Sequence, residues 1–303
     1  MNLQQSLIAW DRSFCKSEKT KRAYTTGLKV FIAYLKKVGI AMASPVDALR
    51  PDLFIAYPAW LSSYSKETLG VYLAGVRSFM NFLTINGFLE MTYSQNVRWQ
   101  MAVKESSSKH GSRLPKFPKA DDATRMIAAV KSMPGYRLEK LRNIALVLFL
   151  ASSGCRNEEA TLLHVSDLNL DECSTSVIGK GDKERLVFFS KETAEAIRTY
   201  LDGRQASPDE PLFVRHDKRI SSAIEAISTN AVRDVVKSVA EFAGVAGYHP
   251  HSFRHSWAIK MLEETHDLSK VQDLLGHASP TTTRIYATIS SEKLQASYRE
   301  VFG

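Results

Sequence analysis

Residues 174–190, STSVIGKGDKERLVFFS, decide the fold class. Two short β-rich runs, STSVI and KERLVFFS, flank a turn that carries Gly179 and Gly181. Such runs around a glycine-bearing turn predict an antiparallel hairpin. On both sides of it the apolar residues return to helical spacing. Upstream, residues 121–133 and 138–153 read as helices, the second stopped by Gly154. Downstream, helices resume near 191–201, 229–243, 252–264 and 268–275, the last stopped by Gly276. No internal repeat is visible. The expected fold is mainly α: an all-helical N-terminal domain plus an α+β domain with a small antiparallel sheet.

The N-terminal part is helical throughout. Residues 3–15 predict one helix and 18–38 a second, with Ala23, Leu28, Phe31 and Leu35 on its apolar stripe. Pro45 and Pro51 punctuate a short helical segment. Ser65 opens a further helix with Leu69, Tyr72, Val76, Met80 and Leu83 on one side and Gly87 near its end. Residues 104–119, KESSSKHGSRLPKFPK, are polar, basic and broken by Gly111, Pro115 and Pro118, which predicts an extended linker. The expected division is therefore 1–103, a basic linker at 104–119, and 120–303.

Charge separates the two parts. The chain carries 40 Lys/Arg and 32 Asp/Glu, a net of +8. Residues 1–117 hold 16 of the former and 7 of the latter, a net of +9; the remainder is at −1. This asymmetry points to a polyanion-gripping module joined to a nearly neutral one, the alternative being a Lys-rich solvated surface. With 44% apolar and 24% charged residues, the composition excludes a disordered chain or a fibre. Cys15, Cys155 and Cys173 show no CxxC spacing, so neither a disulfide framework nor a cysteine zinc site is expected. The longest apolar run, 144–151, is far short of a membrane span. A soluble, cytoplasmic protein is expected.

Five places carry chemistry. Arg156 follows a helix-ending glycine and precedes a new helix, where a guanidinium can grip a phosphate with two prongs or pair with Glu158 or Glu159. Lys180 stands at the hairpin tip, able to deliver a proton or simply solvated. His251 and Arg254, in HSFRH at 251–255, share one face of a helix start that suits an anion. His249, His251 and His255 could instead suggest a metal, but the Glu of HExxH is missing and no carboxylate stands at ligand spacing. His277 follows Gly276, and Tyr286 lies nine residues further on. Any one of eleven tyrosines more often packs than reacts.

In order and spacing these motifs resemble the catalytic domain of the tyrosine recombinases (the phage-integrase family), most closely its Xer-type branch. The likeness covers residues 120–303 and rests on GCRNEE with Arg156, GKG with Lys180, HSFRH with His251 and Arg254, LGH with His277, and TTRIY with Tyr286. KTKRAYTTGLKVFIAYL and ETLGVYLAGVRSFMNFL resemble the family's helical core-binding domain more loosely. Phe253 stands where Leu is usual, Thr288 where a His often follows the nucleophile, and Asn96-Val97 where Asn-Pro is common.

The resemblance implies two domains closing around duplex DNA. It implies Tyr286 as nucleophile, forming a 3′-phosphotyrosine and freeing a 5′-hydroxyl. Arg156, Arg254 and His277 would hold the non-bridging oxygens, His251 would accept the tyrosyl proton, and Lys180 would protonate the leaving oxygen. Glu159 would orient Arg156. Lys21, Arg22, Lys66, Arg77 and Lys183 are the expected DNA contacts. No metal, ATP or other cofactor is implied, and no membrane. The expected partner is double-stranded DNA, bound by a homotetramer on two sites, alone or with a second recombinase, in a nucleoid-associated location. The tail after Tyr286, with Leu294, Tyr298 and Phe302 at helical spacing, would link protomers or fold back on its own domain. A monomeric DNA-relaxing topoisomerase and a non-catalytic DNA-binding protein are the competing readings.

Overall fold

Four helices begin at a serine whose hydroxyl accepts an otherwise unpaired first-turn amide. Ser17, Ser65, Ser190 and Ser228 accept from Thr20, Thr68, Thr193 and Ala231. The computed structural model describes residues 1–15, 17–108, 118–119, 121–179, 184–216 and 224–276. Among them lie twelve α-helices and a three-stranded sheet. The backbone divides into two compact units, Met1–Leu114 and Pro115–Gly303.

The first unit is all helical: α1 (Leu3–Arg12), α2 (Glu18–Lys37), α3 (Pro51–Trp60), α4 (Lys66–Ile85) and α5 (Tyr93–Ser108). Its core is aromatic, with Phe31, Phe54 and Tyr57 fully buried and the Phe31 and Tyr57 rings 4.9 Å apart, edge to face. α2 and α4 cross backbone to backbone. A Cβ on Gly27 would lie 2.8 Å from the Tyr72 α-carbon, and one on Gly75 would lie 2.7 Å from the Tyr24 carbonyl oxygen. Helix α1 stops at Arg12 rather than at residue 15, where the Ser13 hydroxyl turns back onto the Trp10 carbonyl.

Helix α5 carries residues 104–108, which the sequence assigns to an extended linker. Lys104 and Glu105 are good helix formers, and the breakers Gly111 and Pro115 come only later. Residues 109–117 lie outside the described residues.

The second unit holds α6 (Asp122–Ser132), α7 (Arg137–Ser153), α8 (Asn157–Leu162), α9 (Lys191–Arg204), α10 (Thr229–Ala243), α11 (Pro250–Thr265) and α12 (Leu268–Leu275). Ala145, Leu146, Val147, Leu148, Phe149 and Leu150 of α7 are all buried, so the second half of this helix is apolar on every side, and α6, α9 and α11 pack against α7. The sheet runs β1 (Leu168–Asn169), β2 (Ser174–Ile178), β3 (Glu184–Phe188), all antiparallel, with Ser174 opposite Phe188 and Ile178 opposite Glu184. The expected hairpin is β2–β3; the two-residue β1 is too short to leave a sequence pattern. Thr175, Val177 and Val187 face the core, while Ile178, Leu186 and Phe188 stand outward. No described helix is long and apolar enough to cross a membrane.

Candidate active site

The site grows from the end of α7. Gly154 takes the left-handed conformation, φ +64°, and a Cβ there would lie 2.8 Å from the Trp257 ring. The turn it makes sets Arg156 at the N-cap of α8, with extended backbone angles. Glu159, one turn into α8, reaches back: its Oε2 accepts the Arg156 backbone N–H at 2.8 Å, and its Oε1 accepts Arg156 Nη1 at 2.8 Å. Arg156 itself stays 29% exposed, so the guanidinium is held from below while part of it faces outward.

Glu159 is buried and has a second cationic partner. Arg185 of β3 donates through Nη1 to Oε1 at 2.8 Å and through Nη2 to Oε2 at 2.7 Å, a two-pronged grip. Burial alone would raise the Glu159 carboxyl. The hydrogen bonds and charge of Arg185, together with the bonds from Arg156, outweigh it and bring the pKa down to about 2. Arg185 is in turn held protonated against its own burial by Glu159. The Cys155 thiol beside them is pushed up to about 12, by burial first and by the Glu159 charge second, so it stays neutral.

Helix α11 brings the third arginine. Arg254 is 3% exposed; its Nη1 donates to the Gly154 carbonyl and its Nη2 to the Leu275 carbonyl, each at 2.7 Å. One guanidinium thus joins the C-terminal ends of α7 and α12, where helix carbonyls are unpaired and the dipole favours a cation. Trp257, one turn further along α11, donates its indole N–H to the Ser152 carbonyl at 2.8 Å and fixes the same junction.

His249 caps α11 and Pro250 opens it, so His251 lies in its first turn, exposed at the surface. The His251 pKa is lowered by burial of part of its ring and by the charges of Arg254, His249 and Arg156, against an opposing pull from Glu158. His255 lies one turn on, 6.2 Å between ring centroids, and burial takes it down to about 4. Among the described residues no group of three His, Cys, Asp or Glu side chains is placed to hold a metal ion.

Arg156, Glu159, His251 and Arg254 therefore converge on one junction, drawn from α8 and α11 and closed by the glycine turn after α7. Lys21, Arg22, Lys66 and Arg77 stand on α2 and α4 of the first unit; Arg22, Lys66 and Arg77 are exposed, and Lys21 pairs with Asp11 at 3.0 Å. Lys180, Lys183, His277 and Tyr286 lie outside the described residues, as does the tail with Leu294, Tyr298 and Phe302. The residue that sequence reasoning passed over is Arg185. Alternation along KERLVFF sets it on the same side as Val187, and a charge on the core side of a strand needs a buried partner. The flanking Leu186 and Phe188, apolar yet half exposed, obscured that signal.

Residues 116–293 match the phage integrase family and residues 13–87 match the phage integrase N-terminal SAM-like domain. The chain is 31% identical over 296 residues to the tyrosine recombinase XerC of Pediococcus pentosaceus, covering 94% of this chain and 92% of that one. It is 35% identical over 286 residues to the tyrosine recombinase XerD of Bifidobacterium longum, covering 92% and 89%. The fold is similar to the crystal structure of the XerH site-specific recombinase bound to palindromic difH substrate, a post-cleavage complex, with TM-score 0.73, 22% identity and coverage of 92% and 79%. Taken with the junction that assembles Arg156, Glu159 and Arg254, these likenesses show that the chain belongs to the phage integrase family, as a tyrosine-type site-specific DNA recombinase of the Xer branch.

Proposed function

We propose that the protein cuts and rejoins duplex DNA through a 3′-phosphotyrosine on Tyr286. The Tyr286 hydroxyl oxygen bonds to phosphorus, the P–O5′ bond breaks, and a free 5′-hydroxyl leaves. His251 takes the phenolic proton, and Lys180 supplies a proton to the departing oxygen. Arg156, Arg254 and His277 hold the non-bridging oxygens as charge builds on them. The ester energy stays in the phosphotyrosine, so rejoining requires no ATP, and the cationic groups take the place that metal ions hold in other phosphoryl-transfer sites.

The observation that carries this mechanism is the single junction at Gly154. Arg254 is bonded to the carbonyl of Gly154, and two residues later the chain presents Arg156, braced by a carboxylate brought down to about 2. A module that only bound DNA would have no need to pin two guanidiniums around one helix end beside a histidine.

In this assignment residues 1–103 grip the DNA core, 104–119 form the basic connection, with 104–108 continuing α5, and 120–303 carry catalysis. Lys21, Arg22, Lys66, Arg77 and Lys183 contact the backbone. The working unit is a homotetramer on two DNA sites, with room for a second recombinase as partner, acting at the nucleoid. The test is capture of a nicked duplex that carries the recombination site obtained by selecting bound fragments. Tyr286→Phe removes one oxygen and little volume, so folding and DNA binding survive while the covalent adduct disappears. An adduct that persists in Tyr286→Phe overturns the assignment.

A further inference from the structure

Arg185 connects three parts of the site that are far apart in the chain. Its two terminal nitrogens take both oxygens of Glu159, the carboxylate that holds Arg156. Its Nε donates to the Leu274 carbonyl near the end of α12, at 3.4 Å. A Cβ on Gly276, which sits at φ +62°, would lie 2.8 Å from the Arg185 Cδ, so the turn leaving α12 rests directly on this side chain. Arg185 itself belongs to β3, the strand that follows the GKG turn. Its side chain is 12% exposed, so these bonds form largely out of water.

We propose that Arg185 is a positioning residue of the recombination site: through Glu159, Leu274 and Gly276 it sets Arg156, the strand after the Lys180 turn and the start of the LGH turn into one register. The proposal rests on the assignment of Arg156 above. Arg185 touches no reacting atom in it. A fork on a carboxylate fixes angle as well as distance, which a point charge does not. The charged and titratable groups around Glu159 are Arg156 from the N-cap of α8, Arg185 from β3 and the Cys155 thiol from the α7–α8 turn; the charge of Arg254 of α11 acts on that same thiol. With Arg185 gone, burial of Glu159 faces only Arg156, and its carboxyl moves up toward the working pH range.

The experiment is single-turnover cleavage of the nicked site by the full chain across a range of pH, with duplex affinity measured beside it. Arg185→Met is expected to bind DNA as the unchanged protein does and to cleave about 10–100-fold more slowly at neutral pH. Its rate relative to the unchanged protein should drop further on acidification, as Glu159 takes up a proton. Arg185→Lys, which keeps the charge and loses the fork, should recover only part of the rate. Glu159→Gln/Arg185→Met lacks the titrating group, so its relative rate should not change with pH. If Arg185→Met does not fold, Arg185→Gln carries the same pH comparison. Cleavage at the unchanged rate, or a slow rate with no pH dependence relative to the unchanged protein, overturns the positioning role. Failure of the underlying mechanism is distinguishable, because it removes the Tyr286 adduct from the unchanged protein as well.

Discussion

Gly154 carries two constraints at once: a backbone angle that side chains rarely adopt and a ring of Trp257 where a Cβ would go. Gly154→Ala therefore incurs about 1–2 kcal/mol for the left-handed backbone alone, before the ring is displaced. A lowered denaturation midpoint and slower cleavage are expected together, since the same residue's carbonyl holds Arg254. Two histidines set the pH response. His255 and His216 both have pKa values near 4 in the folded protein, mainly through burial, against 6.5 when exposed. Their folded pKa values are depressed, so the unfolded chain takes up the protons first. The stability they allow is complete above pH 6.5 and is lost as pH falls from there toward 4. Melting temperature should thus decline over that interval, ahead of Glu159, whose contribution is lost only from 4.5 down toward 2. His255→Gln should flatten the decline in thermal melts recorded at a series of pH values.

Elements with their own start and stop signals were legible in the sequence. Ser65 and Gly87 bracket α4, and Gly154 and Gly276 end α7 and α12, because caps are local chemistry. What escaped was decided by partners far along the chain. Arg156, Glu159 and Arg254 could be read as motif positions, yet the bond from Arg254 to Gly154 and the Arg185 fork on Glu159 exist only once α11 and β3 have packed. The α2–α4 crossing is similar: Gly27 and Gly75 look like mid-helix weaknesses until each is seen against the other helix's backbone. Gly75→Ala would force a methyl to 2.7 Å from a main-chain oxygen that has no side-chain freedom to yield. A loss of about 1–3 kcal/mol is expected from such overpacking, measured by urea unfolding of the full chain. Gly70, with open space at its Cβ, is the control: Gly70→Ala should leave stability equal or higher.

At the scale of the whole molecule the charge is divided unevenly, +9 over residues 1–117 and −1 over the rest. The electrostatic share of DNA affinity is then expected to come from the first unit. Arg22, Lys66 and Arg77 are exposed on α2 and α4. Neutralising each to Gln should flatten the dependence of log affinity on log salt by about 0.9 for every phosphate whose charge is no longer balanced. Lys21→Gln should change the slope less, because Asp11 already neutralises that ammonium at 3.0 Å. Filter-binding titrations at several salt concentrations measure this; an unchanged slope in the triple variant would mean that these charges only face solvent. The asymmetry was legible because it is a count along the chain, whereas the Lys21–Asp11 pair depends on how α1 lies beside α2.

Arg254 and Glu159 differ in what can answer their loss. Arg185 and Arg156 meet Glu159 side chain to side chain, so a damaging change there leaves a partner that a second mutation can alter in compensation. Arg254 is held by the main-chain oxygens of Gly154 and Leu275, which every amino acid supplies identically. In a genetic selection, lesions at Glu159 should therefore yield suppressors that map to Arg185, whereas the bonds from Arg254 to Gly154 and Leu275 offer no side chain to alter in answer.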